Sequence, residues 1–152
     1  MTFSNVIQFC VYFLFFITLL FEVAAAETLK PFKTDGCSLF PDGSFAKSDA
    51  WCECCIQHDI AYWQGGTLEQ KQQADLELKK CVMRLTGNTV LAETMYQGVK
   101  YGGHPIFPNW YRWGYGWDYG RGFSALTSDE VKQVNMQLKF VDATCPKGWG
   151  DD

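Results

Sequence analysis

The chain has 152 residues, of which 13 are basic and 17 are acidic. This length suits one domain and gives no support to a two-domain organisation. The small excess of acidic groups argues against a nucleic-acid partner, because binding to phosphates depends on clustered Lys and Arg.

The first 26 residues predict an export signal. An apolar run extends from Val6 to Phe21, and the small residues Ala24 to Ala26 follow it, as at a cleavage site. The run is shorter than the ~20 residues that a membrane-spanning helix needs. We therefore expect cleavage and a secreted domain of residues 27–152. An uncleaved anchor stays the alternative, because no Lys or Arg precedes the run. Cleavage would remove one acidic residue, Glu22, and leave 13 basic and 16 acidic groups, a formal charge of −3.

The cysteines indicate disulfides. Of the 7 cysteines, Cys10 lies in the predicted signal, and six remain. In a small exported domain an even set is more typical of three disulfides than of a metal site, although six cysteines allow 15 pairings. A zinc site formed by His58 with the helical cysteines is disfavoured, because adjacent cysteines point apart and no second ligand pair has a usual spacing. The six are Cys37, Cys52, Cys54, Cys55, Cys81 and Cys145.

Two helices are predicted after an irregular segment, residues 27–49, that is rich in Pro, Gly, Ser and Asp. The first helix begins near Trp51 and ends at Gly65 and Gly66. Five of its residues recur at spacings of three and four and share one face. They are Trp51, Cys54, Cys55, His58 and Tyr62.

The second helix begins after Thr67, which forms a capping-box pattern with Gln70, and ends at Gly87. The turn between the two helices is so short that they must run antiparallel. The apolar stripe of the second helix consists of Ala74, Leu78, Cys81, Val82 and Leu85.

The rest of the chain is less regular. A third helix is predicted over residues 89–101, and a final one begins after a capping box at Thr127 and Glu130 and ends near Phe140. Residues 102–123 are dense in Trp, Tyr and Gly and show no period. The fold class is therefore a small all-α, disulfide-braced domain with two antiparallel helices and an aromatic-rich C-terminal lobe.

Candidate catalytic residues lie on the two antiparallel helices. His58 lies on the packed face of the first helix, and Asp75 lies beside the apolar stripe of the second. A buried carboxylate needs a partner, and the imidazole would supply it while leaving its other nitrogen free to act as a base. Tyr62, one turn after His58, could donate to the same carboxylate. On this pattern alone, a satisfied core histidine is as well supported as a catalytic dyad.

A second group of acidic residues indicates a calcium site. Asp59 follows His58, and Asp35 lies beside Cys37 in the irregular segment. A disulfide from Cys37 to the first helix would bring both carboxylates close to loop carbonyls, and such oxygen-rich sites suit calcium. The alternative is that Asp35 caps a turn and Asp59 is solvated.

Three strings of this chain resemble the secreted phospholipase A2 family. CCIQHDIAY, residues 54–62, resembles the active-site helix of that family. QADLELKKC, residues 73–81, resembles its second helix, and TDGCSLFPDG, residues 34–43, is similar to the shortened calcium loop of the prokaryotic and fungal branch. The matched region covers about a third of the chain.

The resemblance implies calcium-dependent hydrolysis of a phospholipid acyl ester, with the sn-2 ester expected. By this resemblance His58 is the general base, Asp75 orients it and Tyr62 supports Asp75. Asp59 and Asp35 would bind Ca²⁺ through side chains and Gly36 through its carbonyl. The ion would polarise the ester carbonyl.

The resemblance also implies the disulfide pairing. Cys37 would pair with Cys55 and Cys54 with Cys81, which leaves Cys52 with Cys145. We expect a monomer that acts on phospholipid at a membrane or micelle surface. The alternative is a non-catalytic secreted lipid- or receptor-binding protein on the same scaffold.

The aromatic segment has two interpretations. Its rings could rest at a lipid interface, where Trp and Tyr are favoured. They could instead pack a glycine-rich lobe, which we slightly prefer, and His104 is expected to be an ordinary loop residue. The residues concerned are Trp110, Tyr111, Trp113, Tyr115, Trp117 and Tyr119.

Overall fold

The computed structural model of the protein describes residues 27–44 and 46–145. Within these residues the chain is helical, as predicted, and contains no strand beyond one isolated bridge between Ser44 and Lys47. No helix in this part of the chain is both long and apolar enough to cross a membrane. The predicted export signal lies outside the described residues. The helices are α1 (Cys52–Gln64), α2 (Leu68–Thr86), α3 (Thr89–Gly102) and α4 (Ser128–Gln137), followed by a short 3₁₀ helix (Leu138–Phe140).

The predicted helix ends are present in the structure. Thr67 and Thr127 each cap a helix. The threonine hydroxyl accepts a hydrogen bond from the backbone amide three residues later, and the side chain of that later residue accepts one from the threonine amide. Gly87 ends α2 in the left-handed conformation, with φ at 64°. Asn88, which we did not single out as a cap, accepts a bond from the backbone of Leu91 and starts α3.

Helices α1, α2 and α3 form the core and alternate in direction. Cys54 near the start of α1 is bonded to Cys81 near the end of α2, so these two helices run antiparallel. Lys79 in α2 forms an ion pair with Glu93 in α3, and residues of α2 nearer its start contact the end of α3. The buried cluster between them contains Trp51, Cys54, Cys55, Leu78, Val82, Ala92 and Met95.

Leu85, at the end of the predicted stripe, lies outside this core. Leu85 is half exposed, whereas Leu78 and Val82 are buried. Leu85 is four residues beyond Cys81, about 6 Å further along the axis. Helix α1 begins only two residues before Cys54 and therefore does not cover the last turn of α2.

Three cysteine pairs lie at disulfide distance. Their Cα atoms are 5.0 Å apart for Cys37 and Cys55, 5.7 Å for Cys54 and Cys81, and 5.9 Å for Cys52 and Cys145. These are the pairs that the resemblance implied. The first bond holds the segment before α1 against that helix, and the second joins α1 to α2.

The aromatic segment closes the C-terminal end of α1. The last carbonyls of a helix have no partner within the helix. Here the indole of Trp113 donates to the carbonyl of Gly66, the indole of Trp117 donates to the carbonyl of Gln64, and the amide of Gly114 donates to the carbonyl of Tyr62. The packing interpretation therefore holds for these two buried tryptophans. Others in the segment, among them Trp110 and Tyr119, are exposed.

The described chain begins with a segment that forms hydrogen bonds with α4 and with the end of α1. Leu29 is buried, and its amide and carbonyl bond the side chains of Gln133 and Gln137 in α4. The indole of Trp63 donates to the carbonyl of Lys30. These bonds attach α4 to the end of α1.

Candidate active site

The structure brings His58, Asp75 and Tyr62 together in the buried interface between α1 and α2. His58 Nε2 lies 3.1 Å from Asp75 Oδ1, and the Tyr62 hydroxyl donates to the same oxygen at 2.6 Å. All three side chains are buried. His58 and Tyr62 are four residues apart on α1, so both rings lie on the face that α2 covers.

Burial and hydrogen bonding set the charge states of the dyad. Burial lowers the pKa of His58 below its usual value, and the opposing effect of Asp75 does not cancel this. Burial alone would raise the pKa of Asp75, but the bonds from His58, Lys71 and Tyr62 hold it below its usual value. Burial also raises the pKa of Tyr62, so its hydroxyl stays a donor. At neutral pH the pair is thus a neutral imidazole and a carboxylate.

These charge states fix which imidazole nitrogen is free. An ionised carboxylate accepts but does not donate, so His58 Nε2 must carry the hydrogen. Nδ1 is then unprotonated and can accept a proton. It lies 4.0 Å from Asp59 Oδ1.

The fourth member of this network, Lys71, was not predicted. The residue is only 3% exposed, and its Nζ lies 2.8 Å from Asp75 Oδ2. Lys71 and Asp75 are four residues apart on α2, a spacing that allows ion pairs on one helix face. That spacing was the available signal. The spacing alone does not predict a buried ion pair, because most lysines on amphipathic helices face water.

Asp59 lies in the middle of α1, and its side chain contacts the loop that precedes the helix, as predicted. The hydroxyl of Thr34 donates to Asp59 Oδ2 at 2.6 Å. Burial, with the nearby carboxylates of Asp35 and Asp42, raises the pKa of Asp59 to about 7 despite that bond. The solvated alternative for Asp59 is wrong, because its side chain is only 13% exposed.

The other predicted calcium ligands lie in the same loop. Asp35 accepts a bond from the hydroxyl of Ser38 at 2.6 Å, and Gly36 adopts a positive φ of 80°. Asp42 accepts from the amide of Cys37. A Cβ at Gly36 would collide with the Asp42 carboxylate, so glycine is required there by both conformation and space.

The donors of this loop match the chemistry of calcium. Among residues 27–44 and 46–145, no group of three or more His, Cys, Asp or Glu side chains is arranged to hold a metal. Calcium also takes carbonyl and hydroxyl oxygens, so two carboxylates with loop oxygens can suffice. Burial is the main cause of the raised pKa of Asp59, and the carboxylates of Asp35 and Asp42 add to it by a repulsion that a cation would relieve.

An apolar cavity of about 290 Å³ opens beside the dyad. His58 and Asp59 form part of its wall, and the remainder is mostly hydrophobic. That remainder includes Leu39, Phe40, Leu78, Met95 and Val99. A wider groove lies on the other side of Asp59, and its lining includes Lys30, Lys33, Trp110, Tyr115 and Tyr119.

Ser38, Asp59 and Tyr111 line both the cavity and the groove. The two spaces therefore meet at the candidate calcium loop. A molecule with an apolar part and a polar part could occupy both, with its junction near Asp59. The site brings together an imidazole with one free nitrogen, a buried carboxylate and an oxygen-rich loop beside an apolar opening.

Comparisons with protein-family models, with curated proteins and with solved structures find no match for this chain.

Proposed function

We propose that this protein is a secreted, calcium-dependent phospholipid acyl-ester hydrolase similar to the short-loop phospholipases A2. The observation that carries the proposal is the bond between His58 and Asp75, with the second imidazole nitrogen left free beside Asp59. A histidine that only filled the core would have no need of an adjacent apolar cavity and a carboxylate-rich loop.

The shape of the site supports an amphiphilic substrate. The cavity is apolar and near the lower end of the usual range for ligand pockets, so it suits part of an acyl chain. The groove beyond Asp59 carries lysines and aromatic rings, which suit a phosphate-bearing head group. The ester that joins the two parts would then lie near His58.

The proposed chemistry uses water as the nucleophile. His58 Nδ1 takes a proton from a water molecule, and the water oxygen attacks the ester carbonyl carbon. The bond to the alcohol then breaks, the imidazolium returns its proton to the departing oxygen, and a fatty acid and a lysophospholipid result. Asp75 holds the ring and stabilises its transient positive charge, and the Tyr62 hydroxyl fixes the carboxylate.

Asp59 and Asp35 would hold a calcium ion through their side chains and Gly36 through its carbonyl. When bound, the ion would supply positive charge to the carbonyl oxygen. Thr34 would orient Asp59 through its hydroxyl bond. The Cys37–Cys55 disulfide keeps this loop close to α1 and thus to His58.

The test is fatty-acid release from phospholipid vesicles, measured with calcium, with a chelator and with the variant His58→Gln. We expect release only from the unmodified protein with calcium. The matched control is His104→Gln, because His104 is exposed and its Nδ1 only accepts a bond from the amide of Ile106 in its own loop. Equal release under all conditions would refute the proposal. Vesicle binding without release in any condition would favour a non-catalytic lipid-binding protein instead.

A further inference from the structure

Lys71 is a buried cation that the proposed hydrolysis does not yet use. Its ammonium group has three hydrogens, and it has three acceptors within hydrogen-bond distance. These are Asp75 Oδ2 at 2.8 Å, the carbonyl of Val99 at 3.2 Å and the carbonyl of Lys100 at 3.4 Å. Both carbonyls belong to the last turn of α3, where the negative end of the helix dipole favours a cation.

The bonds around Lys71 close a ring. Tyr62 donates to Asp75 Oδ1 and lies 3.1 Å from the carbonyl of Val99, while Lys71 contacts that carbonyl and Asp75 Oδ2. The Tyr62 hydroxyl has one hydrogen, and the shorter contact is with Asp75. Lys71 therefore supplies a side-chain hydrogen bond to the Val99 carbonyl, beside the one from the Gly103 amide, and fixes the second oxygen of Asp75.

We propose that Lys71 is a positioning residue of the catalytic site, which holds the Asp75 carboxylate in the plane that His58 requires. The inference rests on the proposed function and extends it by one residue. Asp75 Oδ1 already accepts from His58 and Tyr62, and a bond to Oδ2 adds resistance to rotation of the carboxylate about its Cβ–Cγ bond. Lys71 binds that oxygen and anchors it to α3.

The same residue joins the dyad to the wall of the apolar cavity. Val99 lines the cavity, and its carbonyl accepts from Lys71. Lys71 and Tyr62 are thus the two side chains that lie between the Val99 carbonyl of α3 and the carboxylate. Removal of Lys71 should disturb the orientation of His58 more than the binding of substrate.

The experiment compares Lys71→Met, Lys71→Gln and Lys71→Arg with the unmodified protein. For Met and Gln we expect kcat to fall by about 10- to 100-fold, the range for loss of a hydrogen bond to a charged group. KM should change by less than about twofold, because substrate does not touch Lys71. Arginine keeps the charge and the donors, so Lys71→Arg should recover most of kcat. If Lys71→Met fails to fold, Lys71→Gln and Lys71→Arg decide the question.

The matched control is Lys80→Met. Lys80 lies on the same helix and pairs with Glu77 by the same kind of contact, but its side chain is 63% exposed. We expect kcat of this variant to stay at the level of the unmodified protein. Equal losses in Lys80→Met and Lys71→Met would overturn the proposal, as would full activity in Lys71→Gln.

A second readout does not depend on turnover. The chain contains two histidines, so ¹⁵N spectra of the imidazoles contain two ring systems, and His58→Gln assigns them. At mildly alkaline pH the unmodified protein should show the tautomer of His58 with hydrogen on Nε2, and Lys71→Met should show a mixture. An unchanged tautomer would refute the role of Lys71 even if no lipid is hydrolysed. Absence of hydrolysis with a shifted tautomer would refute only the proposed function.

Discussion

Protons and calcium should compete for Asp59. Burial and neighbouring carboxylates raise the pKa of this group to about 7 from the ordinary 3.8. One pH unit below that pKa only about a tenth of the Asp59 carboxyls are ionised. Apparent calcium affinity should therefore weaken about fivefold between pH 7 and pH 6 and about tenfold again by pH 5, and level off above about pH 8.

Isothermal titration calorimetry measures this effect directly. Calcium is titrated at several pH values, each in two buffers of different ionisation enthalpy. The difference in heat gives the protons released, which should be about one half per calcium at pH 7 and approach one at lower pH.

The stability of the calcium-free protein should also depend on the ionisation of Asp59. Because the folded pKa of Asp59 is raised, its contribution favours folding below about pH 4 and is lost as the pH rises through about 7. Asp59→Asn has no ionisable group at this position. Its melting temperature should therefore not show the fall between about pH 4 and pH 7 that Asp59 causes, and it should bind no calcium.

Asp129→Asn is the matched control, because it removes the same charge from an exposed side chain on α4. It should bind calcium as the unmodified protein does. A calcium affinity that is the same at pH 6 and pH 8 would refute the reasoning.

Three further changes test other parts of the structure. Tyr62→Phe removes a donor to Asp75 and should lower the free energy of unfolding by about 1.5–3 kcal/mol, measured by urea denaturation. Gly103→Ala places a Cβ against the Tyr62 ring, so it should lower activity; activity equal to that of the unmodified protein would contradict the packing. Replacing Cys54 and Cys81 with alanine opens a link across 27 residues and should lower stability by about 3.5 kcal/mol on the chain-entropy model; an unchanged melting temperature would show that the bond does not stabilise the fold.

The helices and their ends could be predicted because their signals are local. Thr67 and Thr127 precede glutamine or glutamate at the third position, and these short-range patterns are the ones that the structure contains. The positions of His58 and Asp75 followed from helical periodicity and a short turn. Both arguments need only a few neighbouring residues.

Other features depended on contacts between distant residues. Nothing near Trp113 or Trp117 indicates that their indoles would bond carbonyls at the end of α1, 47 and 53 residues away. The burial of Lys71 follows from the end of α3, which supplies two carbonyls. Asp42 was also missed as a neighbour of Asp59, because its position depends on how the loop folds back on itself.

The Cys37–Cys55 bond makes the assembly of the site dependent on the chemical conditions around the protein. It ties the carboxylate-bearing loop to α1 only three residues before His58. In a reducing cytosol the bond would not form. If the proposed function is correct, the enzyme would act on membranes only where this bond can form, which would protect the lipids of the cell that produces it.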